Sequence, residues 1–295
     1  MSGAMWNQPR IAWSPTRGKL LDNCSRRYVL EHVIGPNDKF VKRKSKIRRL
    51  DDHARFGLRD ALLTRLEDDD PSMNELRAII YRNVLRAIIA GEVMDENPHD
   101  SVNEVVDLMM HRLRLFDSAP LIGIRRKSTA EMWLVDRLQP LLLDGARQYG
   151  APDIVIQNGS RLCLVRLAME LPSRAPNKAG ELELGSMLLW AERNPMIQAT
   201  VDDIDVVRVG WLGTRWVKWS KKATNEWAAQ ARSMIAMDIE AMAHLMIFDG
   251  SLDELPRSRS IWRCSRCAFN DECPGVEVRG RRRGQKRRQQ DPLLA

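Results

Sequence analysis

The sequence predicts an α+β fold, with a helical first half, a small mixed sheet after residue 150 and a cysteine-rich C-terminal loop. Three observations lead there. Serine-to-glutamate capping boxes open helical runs at Ser72/Glu75, Ser101/Glu104 and Ser128/Glu131. After residue 150 the apolar residues leave helical spacing and form short β-type runs separated by turn residues. Three of the five cysteines then fall within "CSRCAFNDEC", residues 264–273.

Taken in order, Ser14-Pro15 offers an N-cap followed by proline at the first helical position, and Leu20, Cys24 and Tyr28 then share one face. The capped helices carry Ile79, Ile80, Val84 and Ile88, then Val102, Val105, Val106, Met109 and Leu113, then Leu134, Leu138, Leu141 and Leu142 at helical spacing. "PDIVIQ" and "RLCLVRLAM" read as strands joined by the Asn158-Gly159 turn. A helix over 181–193, the strand pair "IDVVRVGWLG" and "TRWVKWS", and a long helix over 222–248 complete the core. The implied organisation is an N-terminal arm (1–13), a helical region containing the first cysteine (14–150), a sheet and helix core (151–248), a cysteine loop (249–275) and a basic, disordered tail (276–295).

Composition narrows the class. Of the 295 residues, 44% are hydrophobic, enough for a packed core. No apolar run approaches the ~18–20 residues that span a bilayer. The opening "MSGAMWNQPRIAWSP" lacks the pattern of a secretory signal. These features predict no membrane association and a cytoplasmic location (virion or host cytoplasm for a phage protein), where clustered cysteines bind metal more often than they pair. The formal net charge of +8 is concentrated in two blocks. One is "KFVKRKSKIRR" (39–49), with Lys42, Arg43, Lys44, Lys46, Arg48 and Arg49. The other is the tail, with Arg281, Arg282, Arg283, Lys286, Arg287 and Arg288. The remainder is mildly acidic, so the basicity points to a local polyanion contact, with DNA as the expected partner and binding that weakens with salt.

Cys163 sits inside the apolar strand "RLCLVRL" and reads as a core thiol. The remaining set is Cys24, then Cys264, Cys267 and Cys273 in a Cys-x2-Cys-x5-Cys pattern, with 239 residues between Cys24 and Cys264. Four thiolates suit a [4Fe–4S] cluster, and they equally satisfy a structural zinc.

The stretch "SPTRGKLLDNCSRRYVLEHV" together with the C-terminal cysteine spacing resembles RecB-like nucleases of the PD-(D/E)XK superfamily, in their iron–sulfur branch (CRISPR-associated exonucleases and the AddB nuclease domain). The resemblance brackets residues 14–274. It implies a nuclease core of a small mixed sheet flanked by helices, with Cys24, Cys264, Cys267 and Cys273 holding a [4Fe–4S] cluster that staples the C-terminus to the N-terminal helices. It also implies carboxylate-held magnesium or manganese, needed only by an active enzyme.

The family's active-site motifs are largely missing. Asp153 in "GAPDIVIQ" matches the motif aspartate. In the next strand Arg166 stands at the acid position and Ala168 at the lysine position, and a guanidinium cannot ligate a divalent cation. Asp60 stands where the early helix should carry histidine, with His53 two turns away. Ser186 replaces the motif glutamine, while Trp190-Ala191 matches the tyrosine-alanine pair. A DNA-binding protein without catalysis, acting in recombination, replication, defence or a phage complex, is the leading reading, and Arg166 could there hold a phosphate. The alternatives are an exonuclease with relocated ligands (Asp153, Glu170 and a lysine such as Lys178), and an assembly protein that reuses the stapled fold. Trp211, Trp216 and Trp219 in the second strand pair are candidates for stacking on unpaired bases, with core packing as the competing role.

Overall fold

The computed structural model describes residues 11–68, 71–120, 130–143, 145–171 and 178–273. In chain order its elements are β1 (Ala12–Trp13), α1 (Pro15–Asn23), α2 (Ser25–Tyr28), α3 (Lys39–Lys46), α4 (Leu50–Glu67), α5 (Met73–Ile89) and α6 (Val102–Arg114). Next come β2 (Glu131–Leu134), β3 (Leu141–Leu143), β4 (Ala146–Gln148), β5 (Ile154–Asn158), β6 (Arg161–Ala168) and α7 (Lys178–Arg193). The chain then forms β7 (Ile204–Leu212), β8 (Arg215–Lys222), α8 (Asn225–Met246) and α9 (Ile261–Ser265). The α+β class is as expected.

The chain divides into two compact units. The first holds the residues up to Gly18 together with Ile47–Ala241. The second holds Lys19–Lys46 together with the residues from Met242 onward. In the first unit, five strands form a mixed sheet in the order β2-β5-β6-β7-β8. Only β6 and β7 run parallel, and the other neighbours are antiparallel. Side chains alternate across a strand, so the sheet has two apolar faces. Ile154, Ile156, Val165, Leu167, Val207 and Val209 pack with α4, α5 and α6 through residues such as Leu58, Leu62, Ile80 and Met109. Val155, Leu162, Leu164, Ile204 and Val206 pack with α7 and α8 through Leu184, Leu188, Trp227 and Ala228. A second small sheet has the order β1-β4-β3.

Local signals explain much of this. Ser72 accepts from the Glu75 amide while the Glu75 carboxylate accepts from the Ser72 amide at 2.8 Å, closing the expected capping box. Ser101 precedes α6 without a side-chain cap, because it already has a helical backbone conformation. Gly57 lets α4 approach α5 closely, since a Cβ there would lie 2.8 Å from the Ile80 Cα.

Two expected helices are corrected. Cys24 has an extended backbone (φ −170°, ψ 101°) between α1 and α2, so Leu20, Cys24 and Tyr28 do not share the face of one continuous helix. The leucines at 134–142 lie in strands and turns: β2 pairs antiparallel with β5, and β3 with β4. Leu138 is 81% and Leu142 66% exposed, so their helical spacing marks no buried face. Pro140 denies a helix an amide, and Gly145 takes φ +80° in the β3–β4 turn. The Asp144-Gly145 pair was the sequence signal for that hairpin. Among the described residues no helix is long and apolar enough to cross a membrane.

Candidate functional site

Asp153 lies one residue before β5, and its backbone extends the ladder: its amide donates to the Val165 carbonyl at 2.8 Å and its carbonyl accepts from Val135 at 3.0 Å. This anchors a carboxylate with no solvent exposure at the point where three arginines converge. Arg59 from α4 donates through Nε at 3.0 Å and also through Nη2. Arg137 donates to the same oxygen at 3.3 Å. Arg166 from β6 reaches the other oxygen at 3.4 Å, and the Leu167 amide donates to it at 2.8 Å. Burial is the largest influence on this carboxyl and acts to raise its pKa. The positive charges of Arg166, Arg137 and Arg59 together outweigh burial and hold the pKa below 3.8.

Arg166 is 2% exposed, on the sheet face covered by α7. Its parallel register partner is Arg208, and Glu183 of α7 meets both, 3.4 Å from Arg166 Nε and 3.5 Å from Arg208 Nη2. The Nε atoms of Arg166 and Arg208 are buried without a hydrogen-bond acceptor. Burial first, and then the Arg166 charge beside it, lowers the Arg137 pKa to about 10. Next to these groups opens a cavity of about 660 Å³ whose lining includes Arg17, Arg59, Arg137, Tyr149, Asp136 and Glu183.

The other expected active-site residues do not join Asp153. Asp60 is exposed and accepts a long hydrogen bond from Asn83 at 3.4 Å, so its neighbour Arg59 is the residue of α4 that reaches the centre. Glu170 is more than half exposed and pairs with Arg55 at 2.7 Å, a partner it shares with Asp51. Relocating the centre onto Asp153 and Glu170 would therefore join carboxylates that have different arginine partners. The Lys178 side chain lies outside the described residues. His53 is buried, with Nε2 3.1 Å from the Glu92 carbonyl. Ser186 is buried, and its hydroxyl donates to the Glu183 carbonyl at 2.7 Å. A Cβ on Gly150 would stand 2.9 Å from Ser186 Cβ, so the site is tight around serine. Arg59, Arg137, Glu183 and Arg208 were missed in the sequence, because nothing local marks which of many arginines a fold will bury around one acid.

The second unit contains the other candidate centre. Arg26 of α2 is 7% exposed and donates to the carbonyls of Leu255 (2.7 Å) and Asp253 (2.6 Å). Lys44 pairs with Glu272, and Arg263 donates to Asn23. Leu30, Val41 and Phe269 form a buried cluster against which Leu252, Cys267 and Ala268 pack. These links bring the helix that follows Cys24 and the loop of Cys264, Cys267 and Cys273 into one small unit.

Burial raises the Cys264 thiol pKa, and the nearby Cys24 and Cys273 raise it further, against Arg257 and Arg26. Cys267 is raised by burial first. The Phe269 amide and Arg27 lower it, and Cys24 and Cys273 raise it. All four thiols are half-buried, and none forms a disulfide. Among the described residues, no three His, Cys, Asp or Glu side chains converge as an assembled metal-binding group. The donor chemistry suits a metal or cluster nonetheless: four thiols within electrostatic reach, with arginines positioned to offset their charge as thiolates. Cys163 stands apart in the sheet, packed against the larger core, with burial raising its pKa to about 12.

The first basic block spans both units. In the second unit, Lys42, Arg43 and Lys46 are exposed on α3, while half-buried Lys44 lies 4.5 Å from the Phe40 ring centroid. In the first unit, exposed Arg48 stacks on Phe56 at 5.0 Å, and exposed Arg49 stands at the N-terminal end of α4 without a side-chain cap. The cationic tail, Arg281 to Arg288, lies outside the described residues.

Of the stacking candidates, Trp211 and Trp216 are buried edge-to-face at 5.7 Å, and Trp216 donates to the Arg112 carbonyl at 2.8 Å. They are core residues, and Trp219 packs against the other face of the sheet. Among the described residues, the exposed tryptophan is Trp262 (62%) on α9, with the Arg266 guanidinium 3.9 Å from its ring centroid. Its position beside the cysteines in a short arginine-rich stretch was a readable signal that the strand tryptophans obscured.

No protein-family model matches the sequence, and no curated protein matches it. A solved structure titled "Crystal structure of SSO0001" aligns with 74% of this chain and 94% of its own, at 15% identity and a TM-score of 0.32, a likeness too weak to bear on fold or function.

Proposed function

We propose that this chain is a DNA-binding iron–sulfur protein of the RecB-like PD-(D/E)XK type in which metal-dependent cleavage has been lost. One observation carries the reading: the carboxylate of Asp153, the acid retained from the motif, is fully buried and taken up by Arg59, Arg137, Arg166 and the Leu167 amide. A divalent cation at this oxygen pair would have to stand among three guanidinium groups, where like charge and lost hydrogen bonds oppose it. Arg166 at the second acid position supplies neither a metal ligand nor a base. The centre is thus suited to holding negative charge, and unsuited to the metal-activated water that hydrolysis requires.

Cys24, Cys264, Cys267 and Cys273 would hold the [4Fe–4S] cluster, which supplies a structural cross-link to a unit with a small apolar core. Arg26, Arg27 and Arg257 lie where they offset the charge of the thiolates. Lys42, Arg43 and Lys46 would contact the DNA backbone, and exposed Trp262 and Phe40 (58%) would offer faces to unpaired bases.

The test is an assay of anaerobically purified protein on end-labelled single- and double-stranded DNA with magnesium or manganese, with Asp153→Ala as control. The expected result is salt-sensitive binding without cleavage. Cleavage that disappears with Asp153→Ala overturns the loss of catalysis. A lack of affinity at low salt removes the DNA reading and leaves an assembly role.

A further inference from the structure

The arginine centre is over-supplied with positive charge. Arg17, Arg59, Arg137, Arg166 and Arg208 face Asp136, Asp153 and Glu183 at the cavity and directly behind it, an excess of two positive charges. A structural ion pair needs no such surplus, because an uncompensated buried cation costs stability. The surplus is also not sealed in. Arg59 and Arg137 contact Asp153 from within the cavity lining, and 35% of the Arg137 side chain is exposed. Arg17 stands on the same wall, held by a 2.7 Å bond to the Ala12 carbonyl, while Ser14 and Tyr149 add polar side chains. Asp153 fixes the inner edges of two guanidinium groups and leaves their outer N–H groups for a second anion. Preorganised guanidinium pairs of this kind favour phosphate oxygens over water.

We propose that this cavity binds a phosphate monoester, with Arg137, Arg59 and Arg17 as its contacts and Asp153 as the residue that positions the first two. A monoester carries close to two negative charges at neutral pH where an internal phosphodiester carries one, which matches the surplus. The volume of about 660 Å³ admits a nucleotide-sized group. Glu183 and Asp136 also line the cavity. Glu183 is engaged by Arg166 and Arg208, and the Asp136 carboxylate accepts the Leu138 amide at 2.8 Å. The monoester has two sources, the end of a nucleic-acid strand or a free mononucleotide. The inference deepens the DNA-binding reading and shares only its phosphate chemistry.

The experiment compares one fluorescent single strand carrying a 5′-phosphate, a 3′-phosphate or hydroxyl ends, with adenosine monophosphate as competitor, using the full chain and its Arg137→Ala and Arg17→Ala variants. Far-UV circular dichroism and melting curves establish that the variants remain folded. A phosphorylated end should bind about tenfold more tightly than a hydroxyl end, with the advantage erased by Arg137→Ala and reduced by Arg17→Ala. Such a pattern assigns the pocket to strand ends. Arginine-dependent binding of the mononucleotide, without an end preference, supports the monoester site and assigns it to free nucleotide. Equal affinity for all three strands, with no mononucleotide binding, overturns the inference while leaving the DNA reading intact. Mononucleotide binding without strand binding supports the pocket and removes the DNA reading.

Discussion

The two candidate centres solve opposite problems. Around Asp153 a large sheet and helix core surrounds one fully buried acid with more cations than it needs, so the fold supplies the stability and the charges are the load it carries. In the cysteine unit the buried apolar cluster seen among the described residues is small, Leu30, Val41 and Phe269 with a few partners. The bonds from Arg26 to the Leu255 and Asp253 carbonyls join segments far apart in sequence, and a metal on the four thiols would add a further cross-link. A polar constellation inside a large core can be lost to catalysis and retained for binding. A ligand set in a small unit is part of the fold itself.

The comparison breaks most visibly at the cysteines. Cys24→Ala and Cys267→Ala should each abolish stoichiometric iron and its visible absorption, and should destabilise the second unit by several kcal/mol. Cys163→Ala should leave both unchanged. Iron analysis and hydrogen exchange over residues 19–46 read the two effects, and an iron-replete Cys24→Ala protein would show that Cys24 is not a ligand.

At the arginine centre, Asp153→Ala leaves three cations without their acid and should cost about 3–5 kcal/mol in urea unfolding. The pH dependence has a definite sign. The folded pKa of Asp153 is depressed, so its contribution is complete above about 3.8 and is lost as pH falls through the lower folded value. Asp153→Asn should therefore flatten that part of the stability profile below pH 4, relative to the parent protein. An identical acid limb in both proteins would mean that other carboxylates govern it.

The smallest effect sharpens the contrast between thiols. Burial holds the Cys163 thiol near a pKa of 12, so native protein treated with iodoacetamide at pH 8 should leave it unmodified, while metal-free protein reacts at Cys24 and Cys264. Peptide mapping by mass spectrometry counts the sites, and rapid labelling of Cys163 would contradict its place in the core.

The parts legible in the sequence were those governed by local rules. The Ser72/Glu75 box, the β5–β6 and β7–β8 hairpins and the helices at 73–89 and 102–114 follow from capping, turn chemistry and periodicity. Leucine spacing misled at 134–142 because exposure cannot be read from periodicity alone, and the strands there are set by pairing with β5 and β4. Arg166 was legible as an anomaly in its strand. Its three companions were not, since Arg59, Arg137 and Arg208 are brought to one point by packing of α4, the β2 loop and β7.

The chain leaves the second unit at Lys46 and returns to it only at Met242, so Ile47–Ala241 of the first unit are threaded between the two halves of the second. With 239 residues between Cys24 and Cys264, a ribosome working at ~5–20 residues per second separates the two cysteines by about 12–50 s. Cys24 is therefore made long before Cys264, and a cluster held by both, as proposed, would form only after everything in between has been synthesised.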